Sequence, residues 1–524
     1  MKLLTPQQMK AIDELAIKNI GIPGIILMEN AAIQTVMKAS KMIGDKNDPK
    51  VTVAAGTGNN GGDAFAVTRH LLSMGYAVSV FSMTEVENLT GDAGVNARIL
   101  RNMGMSIPVI RDAESLERLK KSCRESHLVI DGLLGTGLNR DVDGILSEVI
   151  DVINDNAPKI LSIDIASGVD GLTGKIRGNC IRADATVTFF LPKTGMLLYP
   201  GAGYIGELTV ADIGIPYALT EDLDTPVLME KHDVSGMLPS RPAEGHKGTF
   251  GKPLVIAGSP GMTGAAYLSA LAAYRTGSGL VRLLVPESCL ETLSVMLPEA
   301  VISGLPRQEE ERFSLVRKLI EEADAVLVGP GLSRTGEAMQ LLESVVENCD
   351  KPMVIDADAL NLISGNKSLL ERLRCEAIIT PHPAEMSRLT GITTSGIQDD
   401  RIGIAKGFAD EFGLTVVLKG AGTVIASNDG RTAINPTGNH GMATAGAGDV
   451  LAGVIVSLLG QGLPPYEAAV AGTYIHGLAG DMAAAEMGAA GVMASDIANN
   501  ISKAIEYCHR DGPSDMLPAR HKNE

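Results

Sequence analysis

The feature that most constrains this chain is an alternation of short, wholly apolar runs with helical segments, played out twice and broken once. In the first run, Val51–Ala55, Ala77–Phe81, Leu128–Ile130 and Ile160–Ile163 read as buried strands. Helices are predicted between them over Gly61–Met74, Gly91–Met103 and Ile145–Ile153. Two helices precede them: one opened by Thr5, with Gln8 as its capping-box partner, and one over Ile25–Met42. Strands without a polar face, joined by helices, demand a parallel sheet covered on both sides. Ala185–Phe190 and Glu207–Ala211 read as strands joined by turns, forming an edge.

The rhythm is lost over 215–244, where Pro216, Pro226, Pro239 and Pro242 stand among acids. It restarts with a strand at Pro253–Ala257 and a helix at Gly264–Arg275. Strands follow at Val281–Val285, Ala325–Val328, Met353–Ile355, Ala377–Thr380 and Val416–Leu418, and a hairpin at Val424–Ala426 and Thr432–Ile434. Helices at Ala447–Leu458, Tyr466–Met487 and Ser495–Tyr507 close the pattern. The fold class is α/β, with two domains, each a mainly parallel sheet covered by helices. Expected boundaries are 1–216, a linker at 217–234, a second domain at 235–510 and a polar tail at 511–524.

At 524 residues the chain exceeds one ordinary core. Its 45 basic and 62 acidic side chains give a net charge of −17, which argues against nucleic-acid backbone binding. A local anion site remains open, because backbone amides bind phosphate on an acidic protein. Cys123, Cys180, Cys289, Cys349, Cys375 and Cys508 are scattered, as in a reducing compartment. MKLLTPQQMK lacks the apolar core of a signal peptide, and the apolar stretch at Val450–Leu459 falls short of a membrane span. A cytoplasmic, homo-oligomeric protein without membrane or nucleic-acid partners is expected.

Polar residues gather where the first run's strands end. Gly56-Thr57-Gly58-Asn59-Asn60-Gly61-Gly62-Asp63 links a strand to a helix. Its glycines admit a ligand, and the helix start offers free amides. As a bare glycine turn this is weak; two amides and a carboxylate at a strand end sharpen it. Asp131 precedes Gly132-Leu133-Leu134-Gly135-Thr136-Gly137-Leu138-Asn139-Arg140-Asp141, and Asp164 precedes Ile165-Ala166-Ser167. Singly, each Asp reads as a helix cap. Together, Asn60, Asp131 and Ser167 offer hard oxygen ligands for a cation.

These residues resemble the NAD(P)H-hydrate epimerase family: NNGGD, DGLLGTGL and SIDIASGVDG stand in that family's order over about residues 1–215. The resemblance implies that Asn59, Asn60, Gly61, Gly62 and Asp63 bind the hydrated dinucleotide, as do Gly135, Thr136, Gly137, Leu138, Asn139, Arg140 and Asp141. It implies that Asn60, Asp131 and Ser167 hold a potassium ion and that Asp164 touches the substrate near the reacting ring. Ala64 stands where relatives usually have Gly.

In the second run, His246-Lys247-Gly248-Thr249-Phe250-Gly251 leads into the first strand. Gly258–Ala266, Gly329-Pro330-Gly331-Leu332, Asp356–Asn361 and Thr380-Pro381-His382-Pro383-Ala384-Glu385 follow strands, as does Lys419-Gly420-Ala421-Gly422-Thr423. Prolines on both sides of His382 fix its direction and favour a ligand contact. The sharpest signal is Gly446-Ala447-Gly448-Asp449, opening an apolar helix. Its amides form an anion hole and its carboxylate can take a proton from an acceptor hydroxyl, as phosphoryl transfer requires. A glycine turn whose acid merely complements the helix dipole is the bland alternative.

HKGTFG, GMTGAA, GPGL, DADALN, TPHPAEM, LKGAGT and GAGDVLAG resemble the ribokinase-like superfamily, and within it the ADP/ATP-dependent NAD(P)H-hydrate dehydratases, over about 235–510. This implies a Rossmann-like first domain and a ribokinase-like second one. It implies that Lys419, Gly420, Ala421, Gly422, Thr423 and Gly448 contact the adenine nucleotide, and that Ala265, Gly331, His382 and Asp449 contact the hydrated dinucleotide. Relatives often carry Ser or Thr at Ala447. The expected function is repair of hydrated NADH and NADPH: epimerisation of R and S hydrates, then dehydration of the S form through a phosphorylated intermediate. Asp449 and Asp164 are the expected catalytic residues. ADP is expected over ATP, with Mg2+ accompanying it and K+ in the first domain. A small-molecule kinase with a fused accessory domain is the alternative enzyme, against which TPHPAEM and HKGTFG count. An interaction platform like the mRNA-decapping scaffolds is the alternative without catalysis, disfavoured by the intact NNGGD, by Asp131 and by the net charge.

Overall fold

The computed structural model describes residues 1–510, so the tail expected at 511–524 lies outside the described residues. The chain divides into two units, one of residues 2–225 and one of residues 226–510 with Met1.

The first unit opens as the sequence chemistry dictates. The Gln8 amide donates to Thr5 Oγ1 at 3.1 Å and the Thr5 amide to Gln8 Oε1 at 2.9 Å, closing a capping box on helix Pro6–Leu15. That helix widens into a π-turn at Ala16–Ile20. Six strands follow: β1 (Lys50–Ala55), β2 (Ala77–Ser82), β3 (Leu128–Gly132), β4 (Ile160–Ile163), β5 (Ala185–Phe189) and β6 (Glu207–Ala211). They pair in the order β2-β1-β3-β4-β5-β6, every pair parallel. Helices Gly24–Ile43, Asn59–Ser73 and Gly91–Asn102 pack together in series, and Ala113–Glu125 packs on Gly144–Asn156. Of the two strands expected to form an edge, β6 does so, opposite the other edge strand β2; β5 lies inside the sheet. The β4–β5 and β5–β6 connections carry no α-helix, and the loop chain itself is buried there. The helix Ala113–Glu125, unread in the sequence, owes its start to a capping box between Asp112 and Ser115.

The second unit has ten strands: β7 (Val227–Leu228), β8 (Pro253–Ile256), β9 (Arg282–Pro286), β10 (Val301–Leu305), β11 (Ala325–Val328), β12 (Met353–Ile355), β13 (Ala377–Ile379), β14 (Thr415–Leu418), β15 (Val424–Ser427) and β16 (Thr432–Ile434). Their order is β10-β9-β8-β11-β12-β13-β14-β15-β16-β7, with β14–β15 and β15–β16 antiparallel and the other pairs parallel. The stretch 217–234, expected as linker, carries a 3-10 turn at Tyr217–Thr220, strand β7, and the start of helix Lys231–Met237. Helix Ala447–Gly460 is buried along nearly its whole length, against Thr263–Thr276 and Pro465–Met487. A helix apolar on all sides belongs inside a layer, and this one carries the Gly446–Asp449 turn at its head. Among the described residues, no helix is long and apolar enough to cross a membrane.

Candidate functional sites

In the first unit every parallel strand presents its carboxyl end to one edge, where the polar residues collect. After β1, Gly58 caps the helix and Asn59 is already its first residue, so Asn59–Asp63 is a helical turn rather than a loop. Its glycines answer to packing. A Cβ on Gly61 would lie 2.1 Å from the Gly56 carbonyl oxygen, and one on Gly62 would meet Met28 and Ala93. Asn60 is buried. Its Nδ2 donates to the Leu134 carbonyl at 2.8 Å, while its Oδ1, also buried, has no partner.

Asp131, fully buried at the end of β3, accepts four hydrogen bonds. The Leu133 amide (3.1 Å) and Ser167 hydroxyl (2.6 Å) reach Oδ1; the Ser162 hydroxyl (2.8 Å) and Ser167 amide (3.0 Å) reach Oδ2. Burial raises its carboxyl against the pull of these donors. The Leu134 amide donates to Ser167 Oγ at 2.8 Å, so Leu134 bonds both Asn60 and Ser167. The three residues read as cation ligands thus come together. A buried carboxylate without a cationic partner beside an unpartnered amide oxygen is a donor set that fits a monovalent cation. The loop Gly135–Asp141 leaves from the same place: a Cβ on Gly135 would sit 3.4 Å from Asn60 Cβ. Thr136 and Leu138 are half-buried, and Gly137, Asn139, Arg140 and Asp141 are exposed.

Asp164 ends β4 with a φ of 63°, a left-handed conformation uncommon outside glycine. Its Oδ1 accepts from Lys193 Nζ at 2.5 Å and from Thr188 Oγ1 at 3.3 Å. Lys193 is 1% exposed and also donates to Thr188 Oγ1 at 2.9 Å. Two more acids join this pair. Burial pushes Asp13, on the first helix, up to about 6, with Lys193 opposing and Asp164 reinforcing the shift. Burial, then Asp164 and Asp13, push Asp63 well above the usual carboxylate range. Sequence reading missed Asp13 and Lys193. Asp13 resembles a solvated helix residue, but Lys193 had a signal: a charge directly after the apolar run Phe189-Phe190-Leu191-Pro192.

In the second unit the strand ends after β8, β11, β12, β13 and β14 meet the head of helix Ala447–Gly460. Ala265 and Gly331 touch: a Cβ on Gly331 would lie 2.9 Å from that of Ala265. Lys419, following β14, is half-buried with its Nζ 2.8 Å from Asp356 Oδ1 and 3.9 Å from Glu385 Oε2. Burial opposes its charge, yet Asp356 and Glu385 outweigh burial and raise the ammonium. A Cβ on Gly448 would sit 3.4 Å from that same Nζ. The two segments far apart in sequence therefore meet. Asp449 is pushed up to about 7, first by burial, then by Asp356, with Lys419 opposing and Asp358 and Glu385 adding. Three carboxylates, Asp356, Glu385 and Asp449, around one lysine leave a local negative excess that a divalent cation offsets.

His382 has a structural task as well: its Nδ1 accepts from the Ala384 and Glu385 amides at 3.1 and 3.3 Å, capping helix Pro383–Thr390. Its ring stays half exposed, and burial lowers its pKa. Arg401, 4% exposed, laces the turn Lys419–Thr423 from beneath, donating to the carbonyls of Leu418 (2.9 Å), Lys419 (3.4 Å) and Gly422 (3.5 Å). Burial lowers it to about 10. His476, buried behind Ala447 and hydrogen-bonded to that residue's backbone, is lowered by burial to about 4 and is neutral. Neither was legible, because each acts from a distant helix on a turn it does not adjoin in sequence.

Comparison with known proteins follows the same division. The family described as YjeF-related protein N-terminus matches residues 24–195, and the family described as NAD(P)H-hydrate dehydratase matches residues 253–503. A bifunctional NAD(P)H-hydrate repair enzyme of Moorella thermoacetica is 40% identical over 505 residues, covering 95% of each chain. One of Thermofilum pendens is 38% identical over 516 residues, covering 98% of this chain and 97% of its own. The solved ADP/ATP-dependent NAD(P)H-hydrate dehydratase of Bacillus subtilis is 32% identical, with a TM-score of 0.49, over 54% of this chain and 99% of its own. With both halves matched in order and relatives similar from end to end, the chain belongs to the family of bifunctional NAD(P)H-hydrate repair enzymes.

Proposed function

We propose that the first unit interconverts the R and S hydrates of NADH and NADPH, and that the second dehydrates the S hydrate with ADP in preference to ATP. The observation that carries the second assignment is the meeting of Asp449, Gly448 and Lys419 at the head of a buried helix. Above pH 7 the Asp449 carboxylate takes the proton of the ring hydroxyl as that oxygen attacks the terminal phosphoryl group of the nucleotide. The amides of the Gly446–Asp449 turn and the Lys419 ammonium stabilise the charge on the moving group. The ring oxygen then leaves as phosphate, its C–O bond broken by the push of the ring nitrogen's lone pair, and the adjoining ring carbon loses a proton to solvent, which restores the ring double bond and the nitrogen lone pair. Ala447 contributes its amide but no hydroxyl. Lys419–Thr423 and Gly448 contact the nucleotide; Ala265, Gly331, His382 and Asp449 contact the hydrate. The acids around Lys419, Asp356 and Glu385 with Asp449, would hold magnesium together with the nucleotide, and its charge would offset theirs.

In the first unit, Asn59–Asp63 and Gly135–Asp141 hold the dinucleotide and Asp164 stands at the reacting ring. Asn60, Asp131 and Ser167 would hold potassium, whose charge favours a substrate phosphate nearby. The test is purified protein with separated R and S hydrates. ADP should be needed for loss of the S form and dispensable for exchange between the forms. A phosphorylated product that persists without releasing phosphate would favour the kinase reading.

A further inference from the structure

The family resemblance sets Asp164 near the reacting ring and leaves open what holds it there. Strand β4 ends at Asp164, whose φ of 63° puts a non-glycine residue in the left-handed region. Such a conformation persists only where the surroundings hold it. The parallel register sets Asp164 beside Thr188 of β5, one step past the Ile163–Val187 pair, and the Asp164 amide donates to the Val187 carbonyl at 2.7 Å. Both donors to the carboxylate reach the same oxygen. Lys193 Nζ lies 2.5 Å and Thr188 Oγ1 3.3 Å from Oδ1, and Oδ2 has no hydrogen-bond partner among the described residues. The ammonium's other two bonds go to Thr188 Oγ1 at 2.9 Å and to the Phe189 carbonyl at 3.4 Å. Lys193 is clamped in turn. Leu4 pairs with it in a parallel bridge, donating to the Pro192 carbonyl at 3.0 Å and accepting from the Thr194 amide at 2.9 Å. The lysine is 1% exposed, whereas the Asp164 side chain keeps 16% of its surface open.

The bland role for such a pair is a staple between the end of β4 and the chain after β5. A buried ion pair adds little net stability, because lost hydration offsets the attraction, and an apolar pair of similar volume serves as well. What a buried pair fixes is direction. Resting on the epimerase reading above, we propose that Lys193 is the positioning residue of epimerisation: by occupying Oδ1 it pins the Asp164 carboxylate so that Oδ2 alone faces the hydrated nicotinamide ring. Lys193 itself does not touch the substrate. Its three N–H donors are spent on Asp164 Oδ1, Thr188 Oγ1 and the Phe189 carbonyl, all inside the unit. The same strand end supplies Ser167, whose Oγ lies 2.6 Å from Asp131 Oδ1, so Asp164 and the residues that would hold potassium leave the sheet at one edge. Displacing a reacting group by about 1 Å costs on the order of a hundredfold in rate. Without its ammonium partner the carboxylate keeps one long bond, from Thr188, and is free to turn.

The experiment uses the full chain without nucleotide, so that no hydrate is dehydrated, and follows R-to-S conversion by chromatography. Lys193→Met, which keeps the stem and loses the ammonium, should cut kcat roughly a hundredfold with KM within about threefold. Lys193→Ala should regain roughly tenfold in propylammonium and nothing in propan-1-ol, which fills the same space without the charge. Because Lys193 acts through Asp164, the double variant Lys193→Met/Asp164→Asn should run within about threefold of Asp164→Asn alone, where independent losses would multiply. Lys193→Met above a third of the wild-type rate would overturn the proposal. So would Lys193→Ala that propylammonium does not rescue or that propan-1-ol rescues as well, or a double variant more than about threefold slower than Asp164→Asn. The double variant leaves neither charge of the pair buried alone, so its comparison decides the matter even if Lys193→Met fails to fold. Asp164→Asn at the wild-type rate would remove this proposal and leave the epimerase reading standing. Wild type that converts neither epimer would overturn that reading itself.

Discussion

Asp449 gathers the account's sharpest residue-scale consequences. Its carboxyl, raised by burial to about 7, must be ionised to act as the base, so dehydration should rise with pH through about 7. The same shift has a stability consequence of opposite sign. A carboxyl whose folded pKa exceeds its unfolded value binds more protons when folded, so stability falls as pH climbs from about 4 through about 7. Asp449→Asn should therefore lose dehydration by at least about a hundredfold while melting no lower than wild type at pH 8. Rates and melting temperatures measured on one preparation check both halves. Asp131 makes the complementary case in the first unit. Asp131→Ala removes the acceptor of four hydrogen bonds. It should abolish any potassium dependence of epimerisation and slow it, while dehydration of pure S hydrate persists. Epimerisation that ignores potassium in both proteins would remove the cation from the site.

At the scale of elements, both sites are strand ends feeding helix starts, and that much was legible. Apolar strands followed by Gly, Asn and Asp announce where a parallel sheet gathers its ligands. The exact footing of the elements was less legible. Asn59 and Asn60 read as loop but lie in the helix, because Gly58 caps it and it starts two residues before the expected Gly61. Strand β10, a half-exposed edge, carries too little apolar pattern to announce itself. Arg401 and His476 were invisible for a common reason: each reaches its site through tertiary packing, and no local motif encodes that. Arg401 offers the element-scale test. Arg401→Met leaves the carbonyls of the Lys419–Gly422 turn without their donor, a loss of about 1–3 kcal/mol. If that turn holds the nucleotide, KM for ADP should rise roughly tenfold with kcat nearly unchanged, as loss of uniform binding requires. Steady-state kinetics at saturating S hydrate distinguish this from a general loss of folding, which would lower kcat.

The molecule as a whole is two α/β units, each with its own sheet and its own strand-end site. Ligand protection should respect that division. In hydrogen exchange followed by mass spectrometry, ADP should protect Lys419–Thr423 and Gly446–Asp449 together and leave Asn59–Asp63 untouched. Hydrated NADH should protect Asn59–Asp63 without ADP. Protection of Asn59–Asp63 by ADP alone would reverse the assignment of the sites. The central claim, that one chain carries two separable activities on one substrate, is tested most directly by a mixture of R and S hydrates with the purified protein, with and without ADP. The account predicts that without ADP the epimers interconvert and none is lost, and that with ADP the whole mixture becomes NADH. Asp449→Asn should behave with ADP as wild type does without it. Dehydration by Asp449→Asn at the wild-type rate, or wild type with ADP leaving the R hydrate behind, would contradict it.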